Sequence, residues 1–209
     1  MDQQVETKSK KGVSLMAVIA IGLAVLFGAG VYFEFFDVYR LETVKKGVLY
    51  RDGMRNTREF GTAIREVKPK TVVNLVTEAE FINPDKGDFQ GEAKLLEREG
   101  IELVRIPIKT GGPPTEADIE KFLSIVKDPA RQPVLVHCAQ GIVRTGMMVA
   151  AFQKDVLGYD KQQALEAVNI FGKGWQRGAR VKWFIERYYD EGKAPVTTAD
   201  APLNDPLDE

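Results

Sequence analysis

Val134-Leu-Val-His-Cys-Ala-Gln-Gly-Ile-Val-Arg-Thr-Gly146 is the stretch whose reading decides the fold. Pro133-Val-Leu-Val136 is a short apolar run of the kind that forms a buried strand, and the residues after Arg144 form the start of a helix. The loop between them contains Gly141. A strand that enters a helix through a glycine-bearing loop can curl the backbone N–H groups of residues 139–143 around an anion. The helix N-terminus adds partial positive charge. Cys138 opens this loop and Arg144 closes it, with five residues between them. That spacing lets one turn of chain aim a sulfur and a guanidinium at one centre. Amides and a nearby cation lower a thiol pKa, so Cys138 is expected as a thiolate nucleophile for phosphorus. Arg144 offers a planar fork for two phosphate oxygens. Thr145 can donate a hydroxyl to the sulfur when it leaves, and His137 is expected to organise the loop by hydrogen bonding rather than to act as a base.

Working outward, strands alternate with helices. Gly47–Tyr50 reads as a strand, followed by a turn at Asp52-Gly53. Asn56 and Thr57 signal a helix to about Val67, stopped by Pro69. Thr71–Leu75 is a β-branched strand, 76–88 a loop with Pro84 and Gly87, and Phe89–Glu99 a helix ended by Gly100. Ile101–Ile108 alternates as a strand, and Gly111-Gly-Pro-Pro114 breaks it. Thr115-x-x-Asp118 resembles a capping box that opens a helix to about Val126. Further helices are expected over Arg144–Val156, Lys161–Phe171 and Arg177–Glu191. Trp175, Trp183, Tyr188 and Tyr189 read as packing. The predicted fold is α/β, a central mostly parallel sheet flanked by helices, with the last three helices together on one side.

His137-Cys-Ala-Gln-Gly-Ile-Val-Arg-Thr-Gly146 resembles the His-Cys-x5-Arg-Ser/Thr signature of the cysteine-dependent protein tyrosine phosphatase superfamily. The short domain, Tyr50-Arg51-x-Gly53 and the three C-terminal helices are similar to its dual-specificity branch. The resemblance spans roughly residues 45–192. It implies Cys138 as nucleophile through a phosphocysteine, Arg144 as phosphate clamp, Ala139, Gln140, Gly141, Ile142 and Val143 as the amide cradle, and His137 and Thr145 as supporting residues. It implies no metal and no cofactor. The family also places an Asp general acid on the loop that here reads Ile106-Pro-Ile-Lys-Thr-Gly-Gly-Pro-Pro114, and Thr110 stands where that Asp is expected. The nearest carboxylates are Glu116 and Asp118, of which Asp118 suits a helix cap better than a proton donor. Glu78, Glu80, Asp85 and Asp88 are further candidates. The general acid is one of these, or the enzyme depends on good leaving groups such as phenolates.

The 209 residues carry 29 Lys+Arg against 30 Asp+Glu, with one Cys and one His. This balance argues against a nucleic-acid partner. One Cys excludes an internal disulfide, and with one His it excludes a zinc site built from several such ligands. Residues 12–33 hold no charge, and at about 1.5 Å per residue they reach about 33 Å, enough for a hydrocarbon core of about 30 Å. A transmembrane helix is therefore expected at 12–33, after a polar segment 1–11 with Lys8, Lys10 and Lys11. A cleaved signal peptide is the competing reading. A linker is expected over 34–46, the catalytic domain over 47–193, and an acidic disordered tail over 194–209. The lysines favour a cytoplasmic N-terminus and an extracytoplasmic domain.

Residues 139–143 contain no cation, which favours a single phosphate monoester, such as phosphotyrosine on a protein. A lipid monophosphate, a phosphate-binding module without turnover and rhodanese-type sulfur transfer are the alternatives.

Overall fold

The computed structural model describes residues 16, 18–25, 40–169, 171, 175–192 and 194. The chain divides into two units, 1–37 and 38–209. Of the first, Met16 and residues 18–25 are helical, with every described side chain exposed. Among the described residues no helix is long and apolar enough to cross a membrane. Most of the expected span at 12–33 lies outside the described residues, as do the 1–11 segment and nearly all of the 194–209 tail.

The second unit is built on five strands: β1 (Glu42–Lys45), β2 (Leu49–Gly53), β3 (Thr71–Asn74), β4 (Glu102–Arg105) and β5 (Val134–Cys138). Their spatial order is β1-β2-β5-β3-β4. β1 runs antiparallel to β2, and the other three pairings are parallel, so the sheet is mixed with a parallel centre. The helices are α1 (Thr57–Val67), α2 (Glu78–Ile82), α3 (Phe89–Glu99), α4 (Glu116–Lys127), α5 (Val143–Asp155), α6 (Lys161–Glu166) and α7 (Trp175–Glu191).

Neighbouring residues of the central strands face opposite sides of the sheet, and both sides are covered. Val72 and Leu135 join Phe60 and Ile64 of α1 and Phe89, Leu95 and Leu96 of α3 in one core. Val73, Val134 and Val136 join Ile119 and Phe122 of α4, Met147 to Phe152 of α5, and Val181, Phe184 and Ile185 of α7 in the other. The last three helices do share one side, with α7 against both α5 and α6. Trp183 and Tyr188 are buried in that layer, as expected.

Four segments depart from the sequence expectation. Glu42–Lys45, expected as linker, forms an edge strand with alternating exposure and a bulge, a charged sequence that suits an unpaired edge. Asp52-Gly53, expected as a turn, continues β2, because Asp52 Oδ1 accepts the Gly53 N–H at 2.8 Å and Met54 N–H reaches the carbonyls after β5. Residues 76–88 are not a plain loop: Thr77 and Glu80 form a capping box that winds α2, and Asn83 caps a 3-10 turn at Pro84–Lys86. The helix expected through Phe171 stops at Glu166, and Asn169 instead accepts the Phe171 N–H at 2.9 Å. The remaining helix starts hold: Asn56 caps α1, Asp88 caps α3, and Thr115 with Asp118 boxes α4.

In register across the carboxyl ends of the strands lie Asp52, His137 and Asn74. Asp52 is 1% exposed. Burial pushes its carboxyl up to about 8, against smaller opposing effects of the Gly53 N–H and His137. An unfolded Asp releases its proton near 3.9. Ionisation above about pH 4 therefore favours the unfolded chain, and the stability of protonated Asp52 is lost as pH rises towards 8. Asp52→Asn should gain melting temperature over the parent increasingly between about pH 5 and pH 8. A difference that stays constant across that range would count against a protonated Asp52.

Candidate active site

The site lies where β5 ends and α5 begins, at the carboxyl edge of the parallel strands, the usual place for a ligand in such sheets. α5 has no side-chain cap at Ile142, unlike the helices begun by Asn56, Thr77, Asp88, Thr115 and Asp160. Its first N–H groups are thus left for something else.

The carbonyls of the loop are tied outward. Met54 N–H reaches Cys138 O at 3.2 Å and Ala139 O at 3.0 Å. Arg40 Nη1 donates to Gln140 O at 2.5 Å, and Arg51 Nη2 donates to Gly141 O at 2.7 Å. In a trans peptide the N–H points away from its C=O. The N–H groups of residues 139–142 therefore face the opposite side, and Gly141 N–H does reach Cys138 Sγ, at 3.2 Å. Gly141 has φ +68°, and a Cβ there would lie 2.3 Å from the carbonyl oxygen of Asp52. The position admits only glycine.

Cys138 is 3% exposed. Burial pushes its thiol up, but the Arg144 charge, the Thr145 hydroxyl and N–H, and the Gly141 N–H outweigh burial and leave the pKa lowered. Thr145 Oγ1 is buried with no other partner, so it is available to the sulfur. Arg144 itself is 6% exposed and stays protonated: burial opposes its charge, while Cys138 and Glu80 favour it.

Glu80 has the least expected position of the sequence candidates. Its carboxylate accepts Arg144 Nη1 at 2.7 Å and Nη2 at 2.8 Å. Burial would raise its pKa, but the hydrogen bonds and charge of Arg144, with Thr77, bring it to about 2. A guanidinium has five N–H donors. Nη1 spends its two on Glu80 and on the Ile108 carbonyl at 3.3 Å, and Nη2 spends one on Glu80. Glu80 does not take Nε–H and the second Nη2–H, a parallel pair of the kind that binds two oxygens of a phosphate, and Arg144 also hydrogen-bonds the Cys138 sulfur.

The other acid candidates are occupied as structural groups. Asp118 Oδ2 accepts Thr115 N–H and Oγ1–H at 2.9 and 2.7 Å, and Glu116 Oε2 accepts Ala194 N–H at 2.8 Å. Glu78 pairs with Arg105, and Asp88 caps α3 and accepts the Thr57 hydroxyl. Among the described residues Asp85 is the one candidate carboxylate without a side-chain partner, and it is exposed. No group of three or more His, Cys, Asp or Glu that could hold a metal occurs among the described residues.

The His137 ring is fully buried, with Nδ1 3.3 Å from Cys138 O and Nε2 2.8 Å from Glu92 Oε1. Three contributors had no signal in the linear pattern. Glu92 reads there only as one polar residue of a helix. Arg40 and Arg177 lie far from the signature in sequence, yet both reach Gln140: Arg40 its carbonyl, Arg177 Nη1 its side-chain oxygen.

The family described as "DSP-PTPase phosphatase fused to NAD+ Kinase" matches residues 37–183. The chain belongs to the cysteine-dependent protein tyrosine phosphatase superfamily, among its dual-specificity-like members. The dual specificity protein phosphatase TpbA of Pseudomonas aeruginosa is 30% identical over 145 residues, 66% of this chain and 56% of that protein. The probable NAD kinase 2 of Oryza sativa subsp. japonica is 36% identical over 56 residues, 27% of this chain and 6% of that protein. The chain thus matches little more than half of one relative and a small part of the other. The crystal structure of the core catalytic domain of the S. cerevisiae PP-IP phosphatase SIW14 superposes with a TM-score of 0.59 at 25% identity, covering 74% of this chain and 88% of that one.

If Glu80 fixes the Arg144 fork, Glu80→Gln should lower kcat/KM on p-nitrophenyl phosphate about tenfold or more, because a misplaced clamp loses alignment. Unchanged kinetics in a folded variant would show that the pair has no part in turnover.

Proposed function

We propose that this protein is a phosphatase that hydrolyses phosphate monoesters through a phosphocysteine on Cys138. The observation that carries this reading is a buried sulfur held at 3.2 Å by the Gly141 N–H, with a lowered pKa beside the Arg144 guanidinium. In the first step the thiolate forms an S–P bond in line with the breaking P–O bond, and the leaving oxygen takes a proton. Arg144 and the loop amides hold the phosphoryl oxygens throughout. In the second step water supplies the oxygen of inorganic phosphate, the S–P bond breaks, and the Thr145 hydroxyl steadies the returning thiolate.

Two of the candidates for the Asp absent at Thr110 are engaged elsewhere: Glu80 is ionised against Arg144, and Asp118 is held in its capping box. Aryl phosphates, whose leaving groups need little protonation, are accordingly the favoured class, with phosphotyrosine on protein first. The name of the relative TpbA is in keeping with that choice. Arg40 and Arg177 at Gln140 favour a second reading, a polyanionic substrate such as an inositol phosphate or phosphoinositide. The structural similarity to the PP-IP phosphatase SIW14 supports it.

The full chain should hydrolyse p-nitrophenyl phosphate. Cys138→Ser should abolish turnover, and Arg144→Ala should lower it about 10³-fold or more. On a substrate panel, phosphotyrosine peptide should exceed phosphoserine peptide by about 10² or more in kcat/KM. Preference for an inositol phosphate, weakened by Arg177→Ala, would move the assignment to the second reading. Phosphopeptide binding without turnover would sink the enzymatic one, and thiosulfate-to-cyanide transfer would replace it.

The uncharged stretch 12–33, helical and exposed where described, supports a membrane anchor, with the Lys8, Lys10 and Lys11 side in the cytoplasm. The protein should remain in the membrane pellet after alkaline carbonate extraction, and a reporter fused after Glu209 should be active outside the cytoplasm. Release into the supernatant would favour cleavage of the segment.

A further inference from the structure

Beneath the phosphate loop, on the opposite face of the sheet from the sulfur, lies a row of buried polar groups that the reaction does not touch. Asp52 of β2, His137 of β5 and Asn74 of β3 stand side by side in register. Glu92 of α3, 0% exposed, closes the row from above. Its Oε1 meets His137 Nε2 at 2.8 Å, and its Oε2 accepts Asn74 Nδ2 at 2.8 Å. Asn74 Oδ1 in turn accepts Val76 N–H at 2.8 Å. His137 Nδ1 faces the Cys138 carbonyl at 3.3 Å. The Phe60 ring of α1 lies 4.9 Å from the imidazole, tilted by 51°, and no water-facing side is left to it.

Both ring nitrogens of His137 therefore face oxygen atoms. A carbonyl oxygen only accepts, and a carboxylate only accepts. A neutral imidazole has one N–H, and it would leave one of these contacts without a proton. The imidazolium satisfies both. A buried charge needs a buried partner of opposite sign, and Glu92 supplies it.

We infer that Glu92 is a positioning residue for Cys138: it holds His137 as a doubly protonated, cationic imidazole whose Nδ1–H fixes the Cys138 carbonyl and whose charge lies one residue from the reactive sulfur. Every group packed on the ring agrees with this assignment. Burial disfavours the charge, but Glu92, Asp52 and the Cys138 sulfur each favour it, and the ring titrates higher than an ordinary histidine. Asp52 is itself protonated below about pH 8, so it adds to this effect only as it ionises, and Glu92 is the counter-ion near neutrality. Asn74 orients the carboxylate by binding its second oxygen. The path from α3 to Cys138 thus runs through two side chains, Glu92 and His137, and one carbonyl.

The inference rests on Cys138 being the reactive thiol, but its test does not depend on turnover. His137 is the only histidine in the chain, so the nitrogen spectrum of the histidine-labelled full chain in mild detergent reads this ring alone. Two protonated nitrogens at about pH 7.5 are expected, a pH at which a free histidine is mostly neutral. A single protonated nitrogen would overturn the inference while leaving the phosphatase reading intact.

Glu92→Gln, folded by circular dichroism, should neutralise the ring in the same spectrum. It should also slow iodoacetamide alkylation of Cys138 about tenfold at pH 6, with the rate profile moved to higher pH. Glu92→Asp should restore part of both effects. Adding Glu92→Gln to His137→Asn should have no further effect, since the two act as one unit. Additive effects, or an alkylation profile unmoved by Glu92→Gln, would overturn the inference. If Glu92→Gln does not fold, the wild-type spectrum and Glu92→Asp decide. An ordinary thiol titration in the wild type would instead count against the phosphatase reading itself.

Discussion

Lowering the pKa of a sulfur almost shielded from water is the constraint around which the second unit is arranged. Burial alone drives a thiol towards its neutral form. Against that, the structure directs the Arg144 charge and hydrogen bonds from Gly141 and Thr145 at Cys138. None of these groups reaches the sulfur unaided. Arg144 is aimed by Glu80, and Gly141 is drawn into place through its own carbonyl by Arg51. The loop follows β2 because Met54 N–H takes two of its carbonyls. Remove any of these restraints and the amides no longer point the same way.

The charges alternate outward from the sulfur. The thiolate faces Arg144, Arg144 faces Glu80, and on the other side of the sheet His137 faces Glu92. Arg144 and His137 each have a carboxylate at hydrogen-bond distance, which is the arrangement a medium of low polarity favours for a buried charge. Asp52, which burial holds above the usual carboxylate range, keeps its proton instead.

Most of this was legible where a residue acts on its neighbours in sequence. Cys138, Gly141, Arg144 and Thr145 sit within one turn of chain, and the capping signals at Asn56, Thr115 and Asp118 operate over three residues. The central strands announced themselves because both their faces are buried, which leaves an apolar run. β1 did not, since an edge strand with alternating charges looks like any polar segment. α2 was missed because five residues are too few for a periodic pattern, although Thr77 and Glu80 stood at the spacing of a cap. Glu80 and Glu92 could not be assigned in advance: their partners lie 64 and 45 residues away, and only the fold brings them together. The same holds for Arg40 and Arg177. The absence of cations within 139–143 therefore describes the loop and not the rim of the site, because two arginines reach Gln140 from distant segments.

Gly141 rests directly on the backbone of β2, so that loop and strand share one contact surface with no side chain between them. Any redesign of this site inherits that seam. Length cannot be added at its bottom, and diversity must be introduced at the half-buried upper positions, Ala139 and Gln140, or on the arginines that meet them. Recognition and chemistry are thereby mechanically separable here: one can be rebuilt at the lip while the other stays clamped to the sheet.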